Sequence, residues 1–133
     1  MFTTEQLEGI IVSLANPEID ITRDVKRAIG YNVRLRIMFR AKNPKFLLKL
    51  QETLTEIGID SYYKGIEKKA RPHPLLRLTN IDNLLLFCSL LPDSPTSNDR
   101  FKVFREALTI VSNKHHLRQK GFEQLLKLKG LLT

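Results

Sequence analysis

A single cysteine, Cys88, is all the sulfur the sequence offers for bridging, so no disulfide can close within the chain, and its place in an apolar stretch reads as a buried structural thiol. Long apolar runs are missing too. Leu84 to Phe87 falls far short of the ~20 residues that a bilayer span needs. The start, Thr3-Thr4-Glu5-Gln6, lacks the charged and apolar regions of a signal peptide. The expectation is a soluble intracellular protein with no membrane partner. No phosphate-cradling Gly-rich loop, no Cys-pair motif and no nucleophilic Ser in a strained elbow is present. The pair His115-His116 points its rings apart, with no Cys or Glu at ligand spacing, so no metal site is expected there.

Acidic charge is also short: 14 Asp and Glu stand against 22 Lys and Arg, a net charge of +8. Such a bias is expected of a protein that meets polyanions, nucleic acid first, although a basic membrane-surface protein shares the number. A length of 133 residues, 42% hydrophobic and 27% charged, implies one well-packed domain (1–133) rather than a disordered chain.

Thr3 or Thr4 can cap a helix running to about Leu14, stopped by Pro17. Its core face is Leu7, Ile10, Ile11 and Leu14. Gly9 and Ser13, four apart on another face, either are small surface residues or let a second helix come close. Glu18 to Ala28 and Tyr31 to Arg40 read as strands around a turn at Gly30. The second of these alternates Val33, Leu35, Ile37 and Phe39 with Asn32, Arg34, Arg36, Met38 and Arg40, one side core and the other basic. Asn43 caps a helix with Pro44 at its first position and an apolar stripe of Phe46, Leu47, Leu50, Leu54 and Ile57, ended by Gly58. A second hairpin follows, Asp60 to about Lys68 and His73 to Thr79. A third helix spans about Asn80 to Leu91, and Pro92 to Ser97 breaks the chain. Ser97 or Asn98 then caps a helix with core positions Phe101, Phe104, Leu108 and Val111, and a last helix covers about Gln119 to Leu128. The order implies an α+β domain: a core over 1–91 with a four-stranded antiparallel sheet, and C-terminal helices over 97–133. One face of the sheet is left to solvent or a ligand.

The cations are concentrated. Eight fall between Arg23 and Lys45 against the single acid Asp24, and the second hairpin adds Lys64, Lys68, Lys69, Arg71 and Arg77 against Glu67 and the Asp60 at its start. Arg34, Arg36 and Arg40 share one strand face, and their forks suit phosphate oxygens and guanine edges. With Lys26, Tyr62, Lys64, Lys68, Arg71 and Arg77 they are the candidate nucleic-acid contacts; the bland alternative is a solvated basic face. Glu18, Asp20 and Asp24 on the first strand could attract a metal, or simply pair with neighbouring arginines.

The stretch Leu7-Glu8-Gly9-Ile10-Ile11-Val12-Ser13-Leu14-Ala15 resembles the signature helix of the LAGLIDADG homing endonucleases. Further along, Asn32-Val33-Arg34-Leu35-Arg36-Ile37 resembles that family's second strand. Phe46 to Gly58 is similar to its middle helix, and Leu76-Arg77-Leu78-Thr79-Asn80-Ile81 to its strand entering the third helix. Lys114-His115-His116-Leu117, Gly121-Phe122 and Leu126-Lys127-Leu128-Lys129 are similar to its C-terminal segment. The resemblance covers nearly the whole chain in order and spacing. It implies an αββαββα fold with a saddle-shaped sheet seated in the DNA major groove, plus two C-terminal helices. It also implies the single-motif, homodimeric type, whose motif helices would meet through Gly9, Val12, Ser13 and Leu14.

Two departures stand out. The family's metal-binding acid corresponds to Leu14 here, and a lysine that often assists catalysis corresponds to Asp82. An aliphatic side chain cannot ligate Mg²⁺. The resemblance therefore implies a sequence-preferring double-stranded DNA-binding protein with a degenerate active site, no catalytic residues and no cofactor. Alternatives are an intron maturase that binds intron RNA, or a still active nuclease that takes Mg²⁺ with Glu18 or Asp20 as its acid. The setting implied is a bacterial or archaeal cytoplasm or an organelle.

Overall fold

The computed structural model describes residues 1–90 and 99–132; the chain break expected over Pro92 to Ser97 and its capping Ser97 or Asn98 lie outside the described residues. Helix α1 (Thr4–Leu14) starts from a capping box, Thr3 accepting from the backbone of Gln6 while the Gln6 side chain accepts from that of Thr3, which satisfies two otherwise orphaned donors. Strand β1 (Asn16–Arg23) follows at once and pairs antiparallel with β2 (Tyr31–Arg40). Helix α2 (Pro44–Glu56) is capped by Asn43 with Pro44 in its first turn. Strands β3 (Tyr62–Lys64) and β4 (Leu75–Leu78) and helix α3 (Ile81–Ser89) complete the first part. Helix α4 (Asp99–Ser112), a 3₁₀ turn (His115–Leu117) and helix α5 (Gln119–Leu132) complete the chain.

The sheet order is β1-β2-β4-β3, antiparallel throughout. Ile19, Leu35, Ile37, Phe39, Leu76 and Leu78 are buried on one face and join a single core with Leu7 and Ile11 of α1, Leu47 and Leu50 of α2, Phe87 of α3 and Phe104 of α4. Each such side chain contributes about 1.5–3 kcal/mol on burial. Phe39 meets Phe87 edge-on at 6.0 Å between centroids, a geometry that aromatic quadrupoles favour. Helices α4 and α5 extend this layer past the sheet's edge. Lys129 Nζ donates to the carbonyl of Ile19 at 3.0 Å, and Tyr31 stacks on Phe122 at 5.0 Å. The open edge of β1 is thereby partly covered, which protects its unpaired groups from association.

Several boundaries differ from the sequence reading. Pro17 does not merely stop α1. It is buried within β1, opposite Ile37, a place open to proline because β1 is an edge strand and its ladder can lose one N–H. β1 ends at Arg23 rather than Ala28, and the chain turns through Asp24 to Gly30, where Gly30 has φ 84°. The second hairpin is much shorter than expected, its strands being 62–64 and 75–78, so Lys68 and His73 belong to the connection and share no strand parity. Met38 is buried although it lies on the basic side of β2, as is Leu75 on the same face. The long stems of Arg77, Arg40 and Lys64 flank them in register, and such stems can shield apolar surface. Ile57 is exposed rather than part of the α2 stripe, and Thr53 is buried in its place, accepting from the backbone N–H of Phe2. α3 ends at Ser89 instead of Leu91 and α5 runs on to Leu132.

Candidate nucleic-acid interface

Residues opposite one another in an antiparallel ladder share a face, so the register alone assembles the open side of the sheet. β1 sends Asn16, Glu18 and Asp20 there, opposite Met38, Arg36 and Arg34. Arg77 of β4 lies opposite Met38, with Tyr62 of β3 beyond it, and Leu75 lies between Arg40 and Lys64. Thus Arg34, Arg36, Arg40, Tyr62, Lys64 and Arg77 come together on one surface. Lys26 sits in the β1–β2 turn, and Lys68 and Arg71 face each other across the tip of the β3–β4 connection.

Of the two roles open to the acids of the first strand, metal attractor or partner of a neighbouring arginine, Glu18 takes the second. Its Oε2 accepts from Arg40 Nη1 at 3.1 Å and from Asn16 Nδ2 at 3.2 Å, and Arg36 Nε stands 3.5 Å from Oε1. Glu67 takes both remaining arms of Arg40, Nε to Oε1 at 2.8 Å and Nη2 to Oε2 at 3.2 Å, with Arg71 Nη1 at 3.7 Å. The chain of charges runs Arg36, Glu18, Arg40, Glu67, Arg71. The hydrogen bond from Arg40 holds the Glu67 carboxyl below the usual carboxylate range, and the same bond raises Arg40 further. Glu67 was absent from the sequence-level site, since an acid among five cations of one hairpin carries no signal of which arginine it meets.

The Arg34 side chain is exposed and makes no ion pair or hydrogen bond among the described residues. The same holds for the exposed amines of Lys26, Lys64 and Lys68. The guanidinium of Arg77 lies over the Tyr62 ring at 4.9 Å, a stacking that orients a cation without consuming its donors. A cavity of about 320 Å³ opens beside this face, lined among others by Glu18, Asp20, Arg36, Arg40 and Arg100.

On α1, Gly9, Val12, Ser13 and Leu14 are exposed, Val12 by 58% and Leu14 by 38%. A Cβ added at Gly9 would meet nothing within 4 Å, and the Ser13 hydroxyl turns back to the Gly9 carbonyl at 2.7 Å. The α1 stripe foreseen for the core therefore loses Leu14 to the surface, leaving Leu7 and Ile11 buried. Asp82 is exposed in the first turn of α3, where its backbone N–H donates to the Asn80 cap at 2.8 Å. Among the described residues, no three His, Cys, Asp or Glu side chains gather to hold a metal. Nor is any of their helices long and apolar enough to cross a membrane.

No protein-family model matches the chain, and no curated protein matches it. Solved structures do. The homing endonuclease I-TnaI is 16% identical with a TM-score of 0.82, over 96% of this chain and 86% of that one. The LAGLIDADG meganuclease I-CpaMI bound to uncleaved DNA is 21% identical with a TM-score of 0.82, over 97% of this chain but 45% of its own. An archaeal intron-encoded homing endonuclease complexed with DNA is 22% identical with a TM-score of 0.80, over 97% and 80%. The chain has the LAGLIDADG homing endonuclease fold, α+β with a four-stranded antiparallel sheet.

Proposed function

We propose that this chain is a catalytically degenerate relative of the single-motif LAGLIDADG homing endonucleases. In this reading it binds double-stranded DNA with sequence preference through the open face of its sheet, as a homodimer, and does not cut it. The observation that carries the reading is Leu14. It ends α1, the resemblance sets it at the position of the motif acid, and its side chain offers a divalent ion no oxygen donor where Mg²⁺ accepts little else. An aliphatic side chain at the helix end does not fit the metal. Glu18 is a poor substitute because both its oxygens face arginines. The arginine-rich face supports the choice of a polyanion as ligand.

Homodimerisation is supported by the exposed, small-residue surface of α1, where a second copy's helix could approach closely. Duplex DNA is expected to outcompete structured RNA of equal length for the protein, and Mg²⁺ should leave the bound duplex intact. Preferential retention of the RNA would replace this reading with an intron maturase, which grips phosphates and shape.

Leu14 offers a sharper probe. Placed beside its twin across a dimer axis, it would add apolar contact where two carboxylates would repel, a gain of about 1–3 kcal/mol. Leu14→Asp should therefore raise the dimer dissociation constant by roughly tenfold or more in metal-free buffer, with divalent ions recovering part of the loss. Sedimentation across a concentration series reads this directly. An unchanged dissociation constant would take position 14 off the dimer axis.

A further inference from the structure

The hydrogen-bonded ladder stops well short of the most cationic loop of the protein. β3 ends at Lys64 and β4 begins at Leu75, and between them Lys68, Lys69 and Arg71 are exposed. The tip is closed on itself by Lys68 N–H to the Arg71 carbonyl at 3.2 Å, the reverse bond at 2.9 Å, and Glu67 N–H to the His73 carbonyl at 3.0 Å. Those bonds shape the tip without tying it to β2. Glu67 does so, with a side chain only 14% exposed and both its oxygens held by the Arg40 fork at 2.8 and 3.2 Å. The third nitrogen group of Arg40 is committed to Glu18 at 3.1 Å. Arg40 thus directs all three guanidinium nitrogens at protein carboxylates, and a two-point fork of this kind fixes direction as well as distance.

We infer that Arg40 and Glu67 form a clamp that positions the basic tip, residues 67–73, for contact with DNA phosphates, and that Arg40 is a positioning residue rather than a phosphate contact. The inference rests on the DNA-binding reading above and adds how three of its cations are placed.

The sign of one substitution separates the two roles. Glu67→Gln removes a negative charge from a surface that meets a polyanion, so general electrostatics predicts tighter binding. A released clamp predicts weaker binding, because Lys68, Lys69 and Arg71 lose their fixed place. We expect Glu67→Gln to weaken binding of a labelled mixed-sequence duplex at low salt by about tenfold, and to flatten the slope of log K against log salt by about two to three. Arg40→Lys keeps the charge but not the fork, and is expected to match it. Binding by Glu67→Gln as tight as wild type or tighter, or wild-type behaviour of Arg40→Lys, would overturn the clamp's role.

Amide hydrogen exchange without DNA keeps this distinct from the function itself. The Lys68 and Arg71 amides should exchange faster in Glu67→Gln than in the wild type. Unchanged exchange refutes the clamp. Faster exchange in a protein whose wild type fails to bind the duplex refutes instead the DNA-binding reading, and the tip's task with it.

Discussion

Raising the salt from 50 to 200 mM is expected to weaken the duplex complex by about 10³ to 10⁵, the loss that follows from releasing counterions at roughly 6 to 10 phosphates. Within that total, Arg34→Ala and Arg36→Ala should differ in character. Arg34 is exposed with no ion partner among the described residues, so its loss removes one phosphate contact and about 0.9 from the salt slope. Arg36 stands against Glu18, and its loss also leaves that carboxylate less neutralised on the binding face. The double variant should bind only at the lowest salt. Filter binding or anisotropy across a salt series measures both, and a wild-type protein with no affinity at low salt contradicts the assignment of this face.

Gly121→Ala should be the most damaging small substitution. A Cβ there would overlap the carbonyl oxygen of His115, a backbone atom that can move only with the whole 3₁₀ turn. Overpacking of this kind costs up to about 3 kcal/mol, or roughly a 10 °C fall in Tm for a chain of this size. The damage should be local to α5. Its displacement would break the Tyr31–Phe122 stack and the Lys129 bond to Ile19, exposing the β1 edge. Thermal unfolding together with exchange of the β1 amides reads the effect. A Tm within a degree or two of wild type would show that the turn relaxes cheaply.

The parts of the fold that were legible in sequence are those where local chemistry decides. β2 runs from Tyr31 to Arg40 as its alternation indicates, since half-burial imposes a period of two. The start of α2 was equally clear, because Asn43 caps and Pro44 needs no donor there. The short β3 was not. Gly65 directly follows Lys64, and Pro72 and Pro74 stand just before β4; these breakers mark where the backbone leaves the ladder to build the basic tip, and an expectation of strands to about Lys68 and from His73 passes over them. The candidate site divides in the same way. Which cations share a face follows from strand parity, whereas the Arg40–Glu67 fork spans 27 residues of sequence and depends on how the hairpin folds back. Leu14 stood out only through the resemblance, which aligns it with the motif acid; its exposure beside Gly9 and Ser13 became visible only in the fold.

On the proposed function, this fold reads DNA without cutting it. Selection of bound duplexes from a random pool, carried out in Mg²⁺ and followed by sequencing of both intact and cleaved molecules, tests it most directly. Enrichment of an intact pseudo-palindrome of about two helical turns is expected, the span of two saddles side by side. Enriched duplexes carrying a break at a fixed position, lost on changing Glu18 or Asp20, would contradict it.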